Sequence, residues 1–133
     1  MIYFILQRST KILTGIEIGA NAKIGQGLYI AHCGTIIISN ASEIGNYPMI
    51  FHNVTVGFGG RHKTFGSPKI GDYAFIGVGS TVIGKIKIGD NVVIGANSLV
   101  IKDVPDNAVV GGVPSKILNY NGSKDFITIR IKL

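Results

Sequence analysis

The chain has 133 residues, room for one domain, and carries a formal net charge of +6. That charge favours anionic partners, yet the Lys and Arg residues are scattered with no recognition helix or stacking-aromatic motif beside them, which excludes a nucleic-acid reader. A single cysteine, Cys33, excludes an internal disulfide and fits a reducing cytoplasm, the expected location.

In chain order, residues 1–11 read as a lead-in. Their apolar run Ile2–Leu6 is far shorter than the roughly 20 residues of a membrane span, and it lacks the basic start and cleavage site of a signal peptide. From Ile12 an aliphatic residue returns every six positions: Ile12, Ile18, Ile24, Ile30, then Ile38, Ile44, Ile50, Val56, then Ile70, Ile76, Val82, Ile88, Ile94, Val100. Neither the helical period nor simple strand alternation explains a repeat of six. It is the mark of a parallel β-helix, in which short strands wind round a narrow prism and three hexapeptides make one coil. The expected fold class is therefore all-β, a hexapeptide solenoid of about five coils over residues 12–104. Small or slim residues two places before the aliphatic (Ala22, Ser42, Val54, Ala74, Ser80, Ser98) suit the prism interior. Gly71-Asp72 and Gly89-Asp90-Asn91 are turn chemistry at its corners, so their acids receive no catalytic part.

The period breaks twice. It gains two residues between Ile30 and Ile44, around His32, and eight between Val56 and Ile70, giving a protruding loop over residues 57–69. Extra residues on a solenoid fit only at corners, and loops on rigid scaffolds are where function concentrates. All three histidines, His32, His52 and His62, lie in or near these breaks. Ile30 and Ile50 are equivalent positions on adjacent coils about 4.8 Å apart, so His32 and His52 should be neighbours, with Val78 and Ala96 further along the same column. A histidine near a carboxylate makes a general base, and Glu17 lies about three residues along on the coil below. The bland alternatives are a polar corner residue for His32, packing for His52 and a solvated loop residue for His62. Cys33 reads as a small apolar residue rather than a nucleophile. Three histidines raise the question of zinc, but they lack a closely spaced ligand pair, so no metal is expected.

Residues 105–133 read as a turn and an extension. Phe126 to Leu133 alternate polar and apolar, a strand pattern with one apolar face, expected to pack on its own coil or on a neighbouring subunit.

The stretches Thr14–Ile18, Lys23–His32, Asn53–Gly57, Ile94–Ser98 and Lys102–Lys116 resemble the serine acetyltransferase branch of the hexapeptide acyltransferases. The resemblance implies a left-handed parallel β-helix, acetyl-CoA as co-substrate, and a homotrimer with active sites between subunits. His32 matches the family's base and Glu17 its carboxylate partner, usually Asp. By the same analogy pantetheine would lie near Gly57, Gly59, Val78 and Ala96, and a CoA tail's negative charge agrees with the basic surface. Two departures bear on the acceptor. Ala31 stands where the family has Asp, and Gly66-Ser67 where it has an Arg-His pair; Arg61-His62 lies five residues earlier and would need a rearranged loop to take part in acceptor binding. With the expected clamp for serine missing, the sequence points to an O-acetyltransferase acting on a sugar hydroxyl in polysaccharide or lipopolysaccharide assembly. A serine O-acetyltransferase of cysteine synthesis is the alternative, and a non-catalytic trimeric scaffold is the reading from another class.

Overall fold

The computed structural model of the protein describes residues 1–127. Three parallel sheets form the faces of a prism. The first face stacks Ile16–Ile18, Ile36–Ile38, Val54–Gly57, Thr81–Ile83 and Leu99–Val100; the second stacks Lys23–Ile24, Glu43–Ile44, Lys69–Ile70 and Lys87–Ile88. The third stacks Tyr29–Ile30, Met49–Ile50, Phe75–Ile76, Val93–Ile94 and Val109–Gly111, with Lys116–Asn119 added antiparallel at its end. The chain visits the faces in that order on every coil. This is the solenoid that the six-residue period predicts.

The register explains why the period is so strict. Ile38 pairs with Ile18, Val56 with Ile38, Val82 with Val56 and Val100 with Val82, so each repeat aliphatic sits on its counterpart one coil away. In the middle of the stack these side chains are shut off from solvent: Ile50, Val56, Ile76, Val82, Ile94 and Val100 all belong to one apolar cluster. Each such burial stabilises the fold by about 1.5–3 kcal/mol. The small position two residues earlier also faces inward, and Ser42, Ala74, Ser80 and Ser98 are buried there. Ser80 and Ser98 both donate their hydroxyls to the Gly95 carbonyl, which removes the penalty for a buried polar group.

The aspartates serve the turns. Asp72 accepts the Asn46 N–H at 2.7 Å, Asp90 accepts the Asp72 N–H at 2.7 Å, and Asp106 accepts the Asp90 N–H at 2.8 Å. This ladder satisfies one backbone donor per coil that the corner would otherwise leave unpaired.

The two ends of the chain differ from the sequence expectation. The lead-in is an α-helix, α1 (Ile2–Thr14), so the fold is not purely β and the coil begins at Ile16 rather than Ile12. Extending the six-residue period back one step from Ile18 lands on Ile12 by coincidence, because Ile12 also falls on the apolar stripe of a helix. Gly15 ends α1 with φ 73°, its N–H bonded to the Lys11 carbonyl. The polar side of α1 faces the coil: Gln7 donates to the Ile18 carbonyl at 3.2 Å, and Lys11 pairs with Glu17. The outward side carries Ile2, Ile5, Leu6, Ile12 and Leu13, each between 60% and 83% exposed.

At the other end, Val109–Gly111 continues the third face as a further coil strand. The Ser123 hydroxyl then donates to the Tyr73 carbonyl, and Phe126 packs on Phe75 with ring centroids 5.2 Å apart. The start of the C-terminal segment thus lies on its own coil. The expected alternating strand from Phe126 to Leu133 falls largely outside the described residues. Among those residues, no helix is long and apolar enough to cross a membrane.

Candidate active site

Two edges of the first face carry the residues singled out from the sequence. One edge is the corner between the third face and the first. Its chain segments are residues 31–35 in one coil and 51–53 in the next. The two-residue excess therefore becomes a five-residue corner in place of a three-residue one, and His32 sits on it, exposed to solvent. His32 and His52 are neighbours, with centroids 5.7 Å apart and rings at 81°, and Phe51 lies 6.0 Å from His32 on the same side. Val78 and Ala96 continue this edge along the following coils. The Gly79 N–H bonds to the His52 carbonyl and the Asn97 N–H to the Val78 carbonyl, so successive corners are tied together. The result is one open column: His32, His52, Val78, Ala96.

The other edge, between the first and second faces, carries the loop. Strand Val54–Gly57 separates it from His52, a distance of about 13 Å for four extended residues. Gly59 and Gly66 exchange backbone hydrogen bonds at 2.9 Å each way, and Phe58 packs edge-on against Phe65 at 4.5 Å. The loop is thus a closed hairpin whose tip is a 3-10 turn, His62–Thr64. Its backbone is pinned to the next coil where the Lys85 N–H meets the Thr64 carbonyl.

Arg61 and His62 point into solvent at that tip. Within one chain they do not meet His32. Ser67, aligned with the family's histidine, is turned inward and shares a hydrogen bond with Ser39 at 2.8 Å, and Ser39 with Ser42 at 2.7 Å. The expected pantetheine residues divide between the two edges, Val78 and Ala96 on the histidine side, Gly57 and Gly59 on the loop side.

The Glu17 carboxylate is not on His32. The register sets Glu17 opposite Ile37, in the middle of the first face, and Lys11 of α1 lies over it as its ion-pair partner. Spacing along the chain suggested that Glu17 could reach round the corner; it gave no sign of a helix supplying a nearer cation.

Cys33 is exposed beside His32, and no group of three metal-binding side chains occurs among the described residues. Two residues of the site escaped the sequence reading. Phe51 packs under His32, and Gly34 abuts His52: a Cβ on Gly34, whose φ is +147°, would fall 2.9 Å from the His52 Cβ. The signal for Gly34 was its place within the added pair of residues; Phe51 carried none beyond its position next to His52.

The chain is similar to known proteins over nearly its whole length. The family described as bacterial transferase hexapeptide (six repeats) matches residues 67–102, and the hexapeptide repeat of succinyl-transferase matches residues 7–32. Both matches are to hexapeptide repeats. A serine acetyltransferase of Helicobacter pylori is 40% identical over 119 residues, covering 87% of this chain and 70% of that one. One from Bacillus subtilis is 38% identical over 120 residues, covering 90% and 55%.

Among solved structures, the Neisseria gonorrhoeae serine acetyltransferase in complex with serine superposes with a TM-score of 0.79 at 36% identity, over 86% of this chain and 47% of that one. The Brucella abortus enzyme in complex with coenzyme A gives a TM-score of 0.82 at 31% identity, over 91% and 48%. The chain belongs to the serine acetyltransferase-like branch of the family and shares its left-handed parallel β-helix. It spans about half the length of most of these relatives.

Proposed function

We propose that this protein is an acetyl-CoA-dependent O-acetyltransferase with His32 as its general base. The observation that carries the reading is the five-residue corner, which lifts an exposed imidazole out of an otherwise regular edge and beside the open flank of Val78 and Ala96. His32 takes the proton of an acceptor hydroxyl as its oxygen attacks the thioester carbonyl. The tetrahedral oxyanion collapses, the acetyl ester leaves, and the CoA sulfur regains the proton from the imidazolium. Backbone N–H groups of a neighbouring corner are the natural donors for that oxyanion. Glu17 would steady the imidazolium only after exchanging Lys11 for His32.

The division of candidate residues between two edges supports a homotrimer. A neighbouring chain's loop edge, with Gly57, Gly59, Arg61 and His62, would complete a site that one chain leaves half built. The uncovered apolar stripe of α1 offers further surface for such an assembly. The net charge of +6 suits the phosphates of CoA.

Serine is the acceptor that the relatives favour, since they include proteins named serine acetyltransferase at 36–42% identity. It takes precedence over the sugar expected from sequence, and no support for a part in polysaccharide assembly comes from these relatives. The sugar hydroxyl remains as a second reading because of two observations: Ser67 is held inward by Ser39, and Ala31 carries no charge, so neither can clamp an amino acid. CoA release measured with L-serine and with nucleotide sugars and oligosaccharides separates the two. Saturable turnover of serine alone supports the first reading; turnover of a sugar with none of serine overturns it.

A further inference from the structure

His52 differs from His32 in how its ring is held. Its Nδ1 is buried and makes no hydrogen bond to any described residue, and no hydrogen bond joins the two imidazoles. Nε2 is not buried in the same way: the side chain as a whole is half-buried, and its ring centroid lies 5.7 Å from that of His32. The backbone is fixed on both sides. The Gly79 N–H holds the His52 carbonyl at 3.1 Å, and the Gly34 backbone lies so close that it admits no side chain. A buried N–H without an acceptor is rarer in proteins than a bare acceptor, and the partner of one ring nitrogen decides the protonation of the other. The neutral ring therefore keeps its proton on Nε2 and leaves a lone pair at Nδ1.

We propose that His52 is an acceptor-orienting residue, held as the Nε2–H tautomer, which donates a hydrogen bond to a second oxygen of the acceptor beside the hydroxyl that His32 deprotonates. The two neighbouring rings then have complementary parts: His32 offers a lone pair to the reacting O–H, and His52 offers a fixed donor to an oxygen three or four bonds from the reacting one. In serine that oxygen belongs to the carboxylate; in a sugar it is a vicinal hydroxyl. A donor held in place before binding loses little freedom when the acceptor arrives, and a site built to hydrogen-bond an oxygen discriminates strongly against analogues that lack it. This inference rests on the acetyltransferase reading for its substrate, but its tautomer does not.

Two measurements test it on the intact protein. Long-range proton–nitrogen NMR of the imidazoles at about pH 8, where ordinary histidines are neutral, reads the tautomer without any substrate. The expected result is His52 protonated on Nε2, and protonation on Nδ1 overturns the proposal. Kinetics with L-serine and with ethanolamine, which lacks the carboxylate, then read the donor. His52→Phe is expected to raise the KM for serine at least tenfold, to raise that for ethanolamine by less than threefold, and to keep the melting curve of the parent. His52→Gln, which retains a side-chain N–H donor, is expected to restore serine binding to within about threefold. An unchanged serine KM in His52→Phe, or equal losses in the Phe and Gln variants, overturns the proposal. If serine is not turned over, methyl α-D-glucopyranoside and its monodeoxy analogues take the place of serine and ethanolamine, with the same outcomes. Failure of every acceptor with the parent protein counts against the acetyltransferase reading, and the NMR result still decides the tautomer.

Discussion

Removing Cys33 and Gly34 together shortens the five-residue corner at 31–35 to three, the length of the corresponding segment at 51–53. The flanking strands need not move. Tyr29–Ile30 keeps its pairing with Met49–Ile50, and Ile36–Ile38 its pairing with Val54 to Val56. Cys33 is a free, exposed cysteine, and Gly34 packs against His52 on one coil and the Gly15 backbone on the other without offering a side chain. Closing a corner of three residues rather than five changes the loop entropy by about 0.5 kcal/mol. The net change in stability is therefore expected to stay within about 1 kcal/mol, read from urea unfolding followed by circular dichroism. Activity is expected to behave differently. His32 would be drawn towards the edge by ångströms, and a misplacement of about 1 Å can lower a rate a hundredfold. CoA release from acetyl-CoA in the presence of acceptor should fall at least that far while the fold persists. A deletion variant that folds and retains a tenth or more of the activity would refute the claim that the extra pair exists to place His32. A variant that does not fold would refute the claim that the corner is free of structural duty.

Three further outcomes follow from the same structure. Ile76→Ala empties a fully buried position in the middle of the stack and is expected to destabilise the protein by about 3 kcal/mol in urea unfolding; a loss below about 1 kcal/mol would mean that the prism can collapse onto the gap. Asp90→Ala removes the acceptor of the Asp72 N–H, for an expected loss of about 1 kcal/mol with unaltered kcat, since the ladder belongs to the turns; a hundredfold fall in kcat would give these acids a part in the chemistry. Glu17→Gln breaks a half-exposed pair with Lys11, and kcat is expected to stay within about threefold, whereas a fall of a hundredfold would place that carboxylate on His32 in the working enzyme.

The coil was legible because its constraint is one-dimensional. A prism this narrow accepts one aliphatic and one slim residue per turn of six, so Ile50, Ile76 and Ile94 announce their own stacking partners, and any added residue must appear as a break. The neighbourhood of His32 and His52 followed from the same counting. Counting failed where the period no longer governs. Ile12 satisfies both the six-residue repeat and the stripe of α1, and only the helix-ending Gly15 tells them apart. The carboxylate of Glu17 could be placed on a strand by its spacing, but the direction it faces depends on Lys11, which belongs to a different element. The loop length was readable as well. That Arg61-His62 stands out in solvent while Ser67 turns in to Ser39 depends on the Gly59–Gly66 closure, which no period encodes. The acceptor was the least legible part, because specificity rests on a few corner and loop side chains, and the edges that carry them come together only between chains in the proposed trimer.

The central claim is that His32 supplies the base for acetyl transfer. Steady-state release of CoA from acetyl-CoA, with L-serine and sugar acceptors each present in turn, tests it most directly when the parent is compared with His32→Ala. Loss of a general base predicts a fall in kcat of roughly 10² to 10⁴ with an unchanged melting curve, since His32 is exposed and bears no hydrogen bond to any described residue. Turnover by the alanine variant equal to that of the parent would contradict the account.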